Sequence, residues 1–469
     1  MVAAYYLAPA RARAVVLLIG SYVFYAAWDV RFLPLVIGLT LANFWLGQRL
    51  ALAHGRPNSR RWLWAAVALN LAVLGFFKYT LFALFNAERV LELGGIRIDL
   101  PEPSIILPLA ISFFTFEFIH YLVDVHRGHP PVRSLVEFAL FPAFFPTQIA
   151  GPIKRYQGFL PQIHRATSPT WDNARAGVTL IVIGLFKKSL LADNLALITN
   201  IGFGHASGGL VQIDAVTTVL AFTFQIYFDF SGYTDMGRGS ARLLGFDVPE
   251  NFQRPYMATN ISEFWRRWHI TLSSWLRDYV YIPLGGNRRR RTANLLVTML
   301  LGGLWHGAST TFLVWGGLHG LLLAGYWHAV RLFPWFRTAA PTLSPLRGFA
   351  GWLFTFTVVC LAWVFFRAET TKDGLSMVMS VAGLRPGQPL FLPSQHAFVL
   401  AVAVLALVTE RWLEWRAARG MLHADAPAVS PNPTAWWQPA MLAVALTVIF
   451  AVTLVFPPSN APKFVYFQF

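Results

Sequence analysis

The chain has 469 residues, is 56% hydrophobic and only 13% charged, and has a mean hydropathy of +0.50. Soluble domains carry about 25% charged residues, so a soluble enzyme with one anchor is excluded and an all-α polytopic membrane protein is expected. The net charge of +16 sits in short loops between apolar runs, as the positive-inside rule expects, so no nucleic-acid partner is inferred.

Apolar runs predict spans in chain order at 14–28, 32–47, 62–85, 105–123, 177–195, 215–230, 349–366, 397–413 and 439–455. The first run starts a few residues after Met1, so the first helix itself is expected to act as the insertion signal and no cleavable leader is expected. The stretch 294–332 is too long for one helix, and Gly302, Gly303, Gly307, Gly316 and Gly317 offer breaks. It is expected to form one short segment and one full span, for about ten to twelve membrane segments in all. Two apolar stretches suit no simple span. Residues 138–153 contain Pro142, Pro146 and Pro152, and residues 261–284 carry Glu263, Arg266, Arg267, His269, Arg277 and Asp278. Both read as re-entrant or interfacial pieces, because irregular backbone is tolerated at depth only where protein surrounds it. Residues 420–433 form the best linker. No internal repeat is visible, which weakens an inverted-repeat transporter. The whole of 1–469 is taken as one transmembrane domain.

Three groups of residues could carry chemistry. The first is Trp305-His306-Gly307. Arg288 to Arg291 hold one end of this run at the water interface. His306 lies 15 residues beyond Arg291, or roughly 22 Å along a helix and near mid-bilayer. A titratable group there marks a function by default, and a nearby glycine lets a ligand approach. A histidine merely hydrogen-bonded inside a bundle is the bland alternative, and it holds more strongly for His319. The second group is Phe264-Trp-Arg-Arg-Trp-His269. Arg266 and Arg267 could grip the phosphate of a donor and Trp268 could stack on a base. A surface helix snorkelling its arginines fits equally. In the third group, Asp229 and Asp235 close an apolar run, where they could orient a histidine or pair with arginine; a purely structural ion pair fits equally. The chain has no phosphate loop or nucleophile elbow. Glu117 and His120 have helical spacing without a second copy, so no metal or bound cofactor is expected. Cys360 is the one cysteine and reads as a small core residue.

Several ordered motifs then resemble the membrane-bound O-acyltransferase family, in its bacterial branch of alginate O-acetyltransferase membrane subunits. They are Phe144-Phe-Pro-Thr-Gln-Ile-Ala-Gly-Pro152, Gly184-Leu-Phe-Lys-Lys188, Tyr227-Phe-Asp-Phe-Ser-Gly-Tyr-Thr-Asp-Met236, Asn260-Ile-Ser-Glu-Phe-Trp-Arg-Arg-Trp-His269, Tyr281-Ile-Pro-Leu-Gly-Gly-Asn287, Gly303-Leu-Trp-His-Gly307 and Trp315-Gly-Gly-Leu-His-Gly320. The resemblance implies a ring of about ten to twelve transmembrane and re-entrant helices around a central tunnel. It implies that His306 is the catalytic histidine and that His269 is a second one, on the cytosolic side of the tunnel. It further implies an O-acetyltransferase of the bacterial inner membrane, surrounded by lipid, that uses acetyl-CoA or another acyl thioester. The acetyl group would pass to an exported, alginate-like polysaccharide, directly or through a periplasmic acetyltransferase partner. Relatives begin with an extra apolar helix before the stretch matching Tyr5-Tyr-Leu-Ala-Pro9, so that helix is expected to be missing here.

The residues alone leave two other classes open. One is a proton-coupled transporter or channel, with His306 and Asp229 as the relay. The other is a noncatalytic scaffold of a polysaccharide export complex.

Overall fold

A computed structural model of the chain describes residues 1–98, 100–101, 103–149, 151–165, 168–333, 345–418 and 447. The expected span at 439–455, apart from Thr447, and the linker at 420–433 lie outside them. The described residues are helical throughout, apart from loops and one isolated bridge between Leu210 and Gln388. Five helical stretches are long and apolar enough to cross a membrane: Ala10–Leu52, Ser59–Leu93, Gln212–Leu243, Leu346–Arg367 and Pro393–Arg416. The chain divides into two compact units, residues 1–178 with 237–249, and residues 179–236 with 250–469.

The first unit opens with α1 (Val2–Leu7), α2 (Arg13–Asp29) and α3 (Leu33–Leu52). The expected span at 62–85 lies within one continuous helical stretch, in which a π-helical turn, Gly75–Tyr79, joins α4 (Ser59–Leu74) to α5 (Thr80–Leu93). The span expected from residue 105 begins later, at α6 (Ile111–His126), after Ala110 adopts a left-handed φ of 58°. Polar pairs tie these apolar helices together, because a buried amide must find partners. Asn43 on α3 and Asn70 on α4 exchange side-chain hydrogen bonds of 3.1 and 2.7 Å. Glu117 on α6 meets Lys154 at 2.9 Å, both of them buried.

The proline-bearing stretch of this unit is broken as its composition requires. It forms α7 (Leu135–Ala143) and the single turn α8 (Phe145–Gln148). Phe138 to Phe144 are buried, so protein surrounds the irregular backbone. Helix α9 (Tyr156–Ile163) follows.

Helix α10 (Trp171–Leu185) leads through a second π-helical stretch, Phe186–Ala192, into α11 (Asp193–Gly204). Helix α12 (Gln212–Leu243) runs for 32 residues. The helix continues past the apolar run that ends at Phe230, so Asp229 and Asp235 both lie within it. The aromatic, arginine-rich stretch forms α13 (Ile261–Arg267) and α14 (Ile270–Leu276), each of seven residues.

The glycine-rich stretch splits at Gly307 into α15 (Arg291–His306) and α16 (Thr310–Leu332), the expected short segment and full span. Ser309 caps α16 by accepting from the Thr311 amide at 3.3 Å. Glycines bring the two helices close. A Cβ on Gly303 would lie 2.2 Å from the Phe312 carbonyl oxygen, and one on Gly316 would lie 2.3 Å from that of Met299. We therefore expect Gly303→Val to force the pair apart and cost about 1–3 kcal/mol or more. Thermal unfolding in detergent measures this, and an unchanged midpoint would contradict the packing. Three further helices complete the second unit: α17 (Pro345–Arg367), α18 (Thr371–Val381) and α19 (Pro393–Ala418). The sequence reading missed α18, which is too polar to register as a span.

Candidate active site

The second unit brings the two principal histidines together. His306 ends α15, and His269 occupies the break between α13 and α14. Their ring centroids are 6.4 Å apart, at an angle of 58°. His269 adopts a left-handed φ of 42°, a conformation that costs a non-glycine residue energy and persists only when its surroundings enforce it. Asn251 supplies much of that enforcement. Its carbonyl accepts from the Ile270 amide at 3.0 Å, and its side-chain oxygen accepts from the Thr271 hydroxyl at 2.6 Å. Two residues on, the Gln253 amide donates to the Arg267 carbonyl at 3.0 Å. Sequence reasoning gave Asn251 no role of its own, because its partners lie 19 and 20 positions away.

The walls around the histidines are aromatic. The His306 ring meets Trp305 at 5.0 Å, Phe366 at 5.1 Å and Trp315 at 5.2 Å. Phe230 lies 4.7 Å from His269, edge to face. His269 is 0% exposed and His306 is 5% exposed. Neither ring nitrogen of His269 has a hydrogen-bond partner among the described residues, nor has the Trp315 indole nitrogen. Folded interiors rarely leave such atoms unmatched, so this cluster has polar capacity to spare for a reacting molecule. His319 accepts from the Trp265 indole at Nδ1, 3.3 Å, and stacks on Phe264 at 6.1 Å, while its Nε2 is buried without a hydrogen-bond partner among the described residues.

The proposed donor grip is redistributed. Trp268 is 1% exposed and packs on Trp363 at 4.8 Å, so it is a core residue and offers no face to a base. Arg267 is 24% exposed, meets Glu263 at 2.6 Å and pairs closely with Glu414. Its fork is already used. Arg266 is exposed, and its Nη1 donates to the Ser262 hydroxyl at 3.1 Å. Of the three, Arg266 is the one placed to meet an incoming phosphate.

Asp229 and Asp235 pair with lysines, and not with the expected arginine. Lys188 lies 2.8 Å from Asp229 and 2.6 Å from Asp193, and Lys187 lies 2.6 Å from Asp235. Both lysines belong to the π-helical stretch after α10, where the altered register turns them toward α12. A lysine pair inside an apolar run was the available signal.

The membrane-bound O-acyltransferase family model matches residues 129–367. A protein described as a probable alginate O-acetylase AlgI of Azotobacter vinelandii is 46% identical over 371 residues, covering 78% of this chain and 72% of the relative. Its namesake in Pseudomonas aeruginosa is 37% identical over 514 aligned positions, covering 99% and 96%. A peptidoglycan O-acetyltransferase of Helicobacter pylori is 39% identical over 401 positions, covering 78% and 73%.

Proposed function

This chain belongs to the membrane-bound O-acyltransferase family, a multi-pass membrane O-acyltransferase, and from that premise we propose how and on what it acts. It moves acetyl from a cytosolic thioester to a hydroxyl on the far side of a bacterial inner membrane, for O-acetylation of an exported polysaccharide. The alginate and peptidoglycan acetyltransferases among its relatives support that acceptor class. The observation that carries the reading is the apposition of His306 and His269, 6.4 Å apart, inside an aromatic wall with unmatched polar atoms.

His306 takes the proton of the incoming hydroxyl as its oxygen attacks the thioester carbonyl carbon. A carbon–oxygen bond forms, the carbon–sulfur bond breaks, and the proton passes to the departing thiolate. An imidazole is suited to both transfers because its ordinary pKa lies near working pH. His269 faces the same space and serves as a second proton-handling group on the donor side. The donor is acetyl-CoA or another phosphate-bearing acyl thioester, and no bound cofactor is needed. A periplasmic acetyltransferase partner relays the group where the polysaccharide does not enter directly. Arg288 to Arg290 precede α15 and Arg291 opens it; a basic cluster at this end supports a cytosolic donor side.

The two arginines should separate cleanly. Arg266→Ala should raise the donor KM roughly ten- to a hundredfold, the loss of one charge-assisted contact, with kcat recovered at saturating donor. Arg267→Ala should instead lower the amount of folded protein, since Glu263 and Glu414 lose their partner, with little change in KM per folded molecule. A donor KM unmoved by Arg266→Ala would remove the donor grip from α13.

A further inference from the structure

Several threonines in these helices turn their hydroxyls back onto their own backbone. On α12, Thr218 and Thr223 donate to the carbonyls of Asp214 and Val219, each at 2.8 Å, a usual way to satisfy a helical threonine. Thr217 departs from that habit. Its Oγ1 lies 2.7 Å from Nδ1 of His396 on α19. Nε2 of the same imidazole lies 3.1 Å from the Asp214 carboxylate, which also accepts from the Leu390 amide. Thr217 and His396 are 179 positions apart, so no motif in the sequence joins them.

The hydrogens follow from the partners. A carboxylate only accepts, so Nε2 of a neutral imidazole carries the hydrogen and Nδ1 accepts from the Thr217 hydroxyl. A hydroxyl on a base, with the base oriented by a third group, is the arrangement that activates a nucleophile for acyl transfer. Exposure falls in the matching order. Asp214 is 1% exposed and Thr217 5%, while the His396 side chain is 22% exposed. The Phe391 ring stands edge to face with the imidazole at 6.0 Å. With so little of Thr217 open, a small acyl group such as acetyl is what reaches its oxygen. The site lies away from Arg288–Arg291. Phe366, near the end of α17, packs on Phe312, near the start of α16, at 4.9 Å. Helix α18 and the first turns of α19 follow, and Gln212 at the start of α12 donates to the Val381 carbonyl at 3.0 Å. These helix ends gather on the acceptor side.

We propose that Asp214, His396 and Thr217 form a second acyl-transfer site on the acceptor side, in which Thr217 carries an acetyl group taken from an acetyl ester. The site acts independently of His306. Thr217 Oγ1 attacks the ester carbonyl carbon, a carbon–oxygen bond to Thr217 forms and the ester's own carbon–oxygen bond breaks. His396 takes the hydroxyl proton and gives it to the departing alkoxide. Water or another hydroxyl then attacks the acetyl-threonine, and His396 takes its proton and returns one to Thr217. Asp214 holds the imidazole in the tautomer that both steps need.

Covalent labelling tests this directly. The purified full-length protein in detergent is mixed with p-nitrophenyl acetate, quenched in acid at successive times, and its acetylated positions are mapped by mass spectrometry. The parent should acetylate at Thr217, with nitrophenol released in step with the adduct. Thr217→Ser should keep the adduct at that position, and Thr217→Val, of the same shape, should lose it. His396→Ala should slow labelling by roughly a hundredfold or more, the contribution of a positioned base. Parent protein acetylated at other side chains and not at Thr217 overturns the proposal, whatever the variants do. So does a rate unchanged in His396→Ala, since Thr217 is then an ordinary accessible hydroxyl. A site that merely pins α12 to α19 shows a lowered unfolding midpoint in the variants and no adduct in the parent. His306→Ala should label at Thr217 as the parent does while losing donor-driven transfer. Labelling that needs His306 overturns the second site, and donor-driven transfer retained in that variant removes the His306 assignment while leaving this one intact.

Discussion

His306→Ala should lower acetyl transfer by roughly 10²- to 10⁴-fold, the usual contribution of a positioned general base, with membrane abundance near that of the parent. The abundance matters because His306 is buried between Trp305, Trp315 and Phe366, and its truncation opens a small cavity. A structural role would appear as lost protein. A catalytic role appears as lost kcat in protein that is still folded, and saturating donor should not rescue it. Measured transfer close to the parent's, in folded protein, would remove the base assignment.

The largest stability effect should come from Lys188. Its ammonium lies between Asp193 and Asp229, which are 3% and 1% exposed. Removing one partner from a buried ionic group leaves uncompensated charge and costs about 3–5 kcal/mol. Lys188→Met should therefore lower the unfolding midpoint sharply and reduce the protein recovered from membranes. Adding Asp193→Asn and Asp229→Asn should restore part of the loss, because the stranded charges are then gone. A single variant as stable as the parent would show that the network contributes nothing. The same geometry bears on Asp229 as a proton relay, since that carboxylate is held by Lys188 at 2.8 Å.

What was legible in the sequence follows from which signals are local. Glycine spacing made a break within 294–332 legible without saying which glycine carries it; the structure puts it at Gly307, so that His306 ends α15. The proline-broken stretch at 138–153 was likewise legible, because proline acts on its own backbone. Three things were not. The π-helical stretches at Gly75–Tyr79 and Phe186–Ala192 change register by one residue and leave no mark in hydropathy. Glu414, one partner of Arg267, and Lys188, a partner of Asp229, lie 147 and 41 positions away, so a motif read in isolation offered Arg267 to a donor phosphate and Asp229 to a histidine or an arginine. Burial of Trp268 depends on Trp363, 95 residues on. An aromatic beside arginines looks the same in sequence whether it faces a base or the core.

The central claim is that acetyl changes covalent partners inside this protein. The direct measurement uses purified protein in sealed vesicles, with acetyl-labelled thioester on the side bearing Arg288–Arg291 and an acceptor polysaccharide, with its partner enzyme, on the other. Label and free thiol are followed together. The account predicts one thiol released on the donor side for each acetyl ester formed on the acceptor side, and neither product with His306→Ala. Label that crosses as the intact thioester, with no thiol released, would make the protein a transporter and contradict the account.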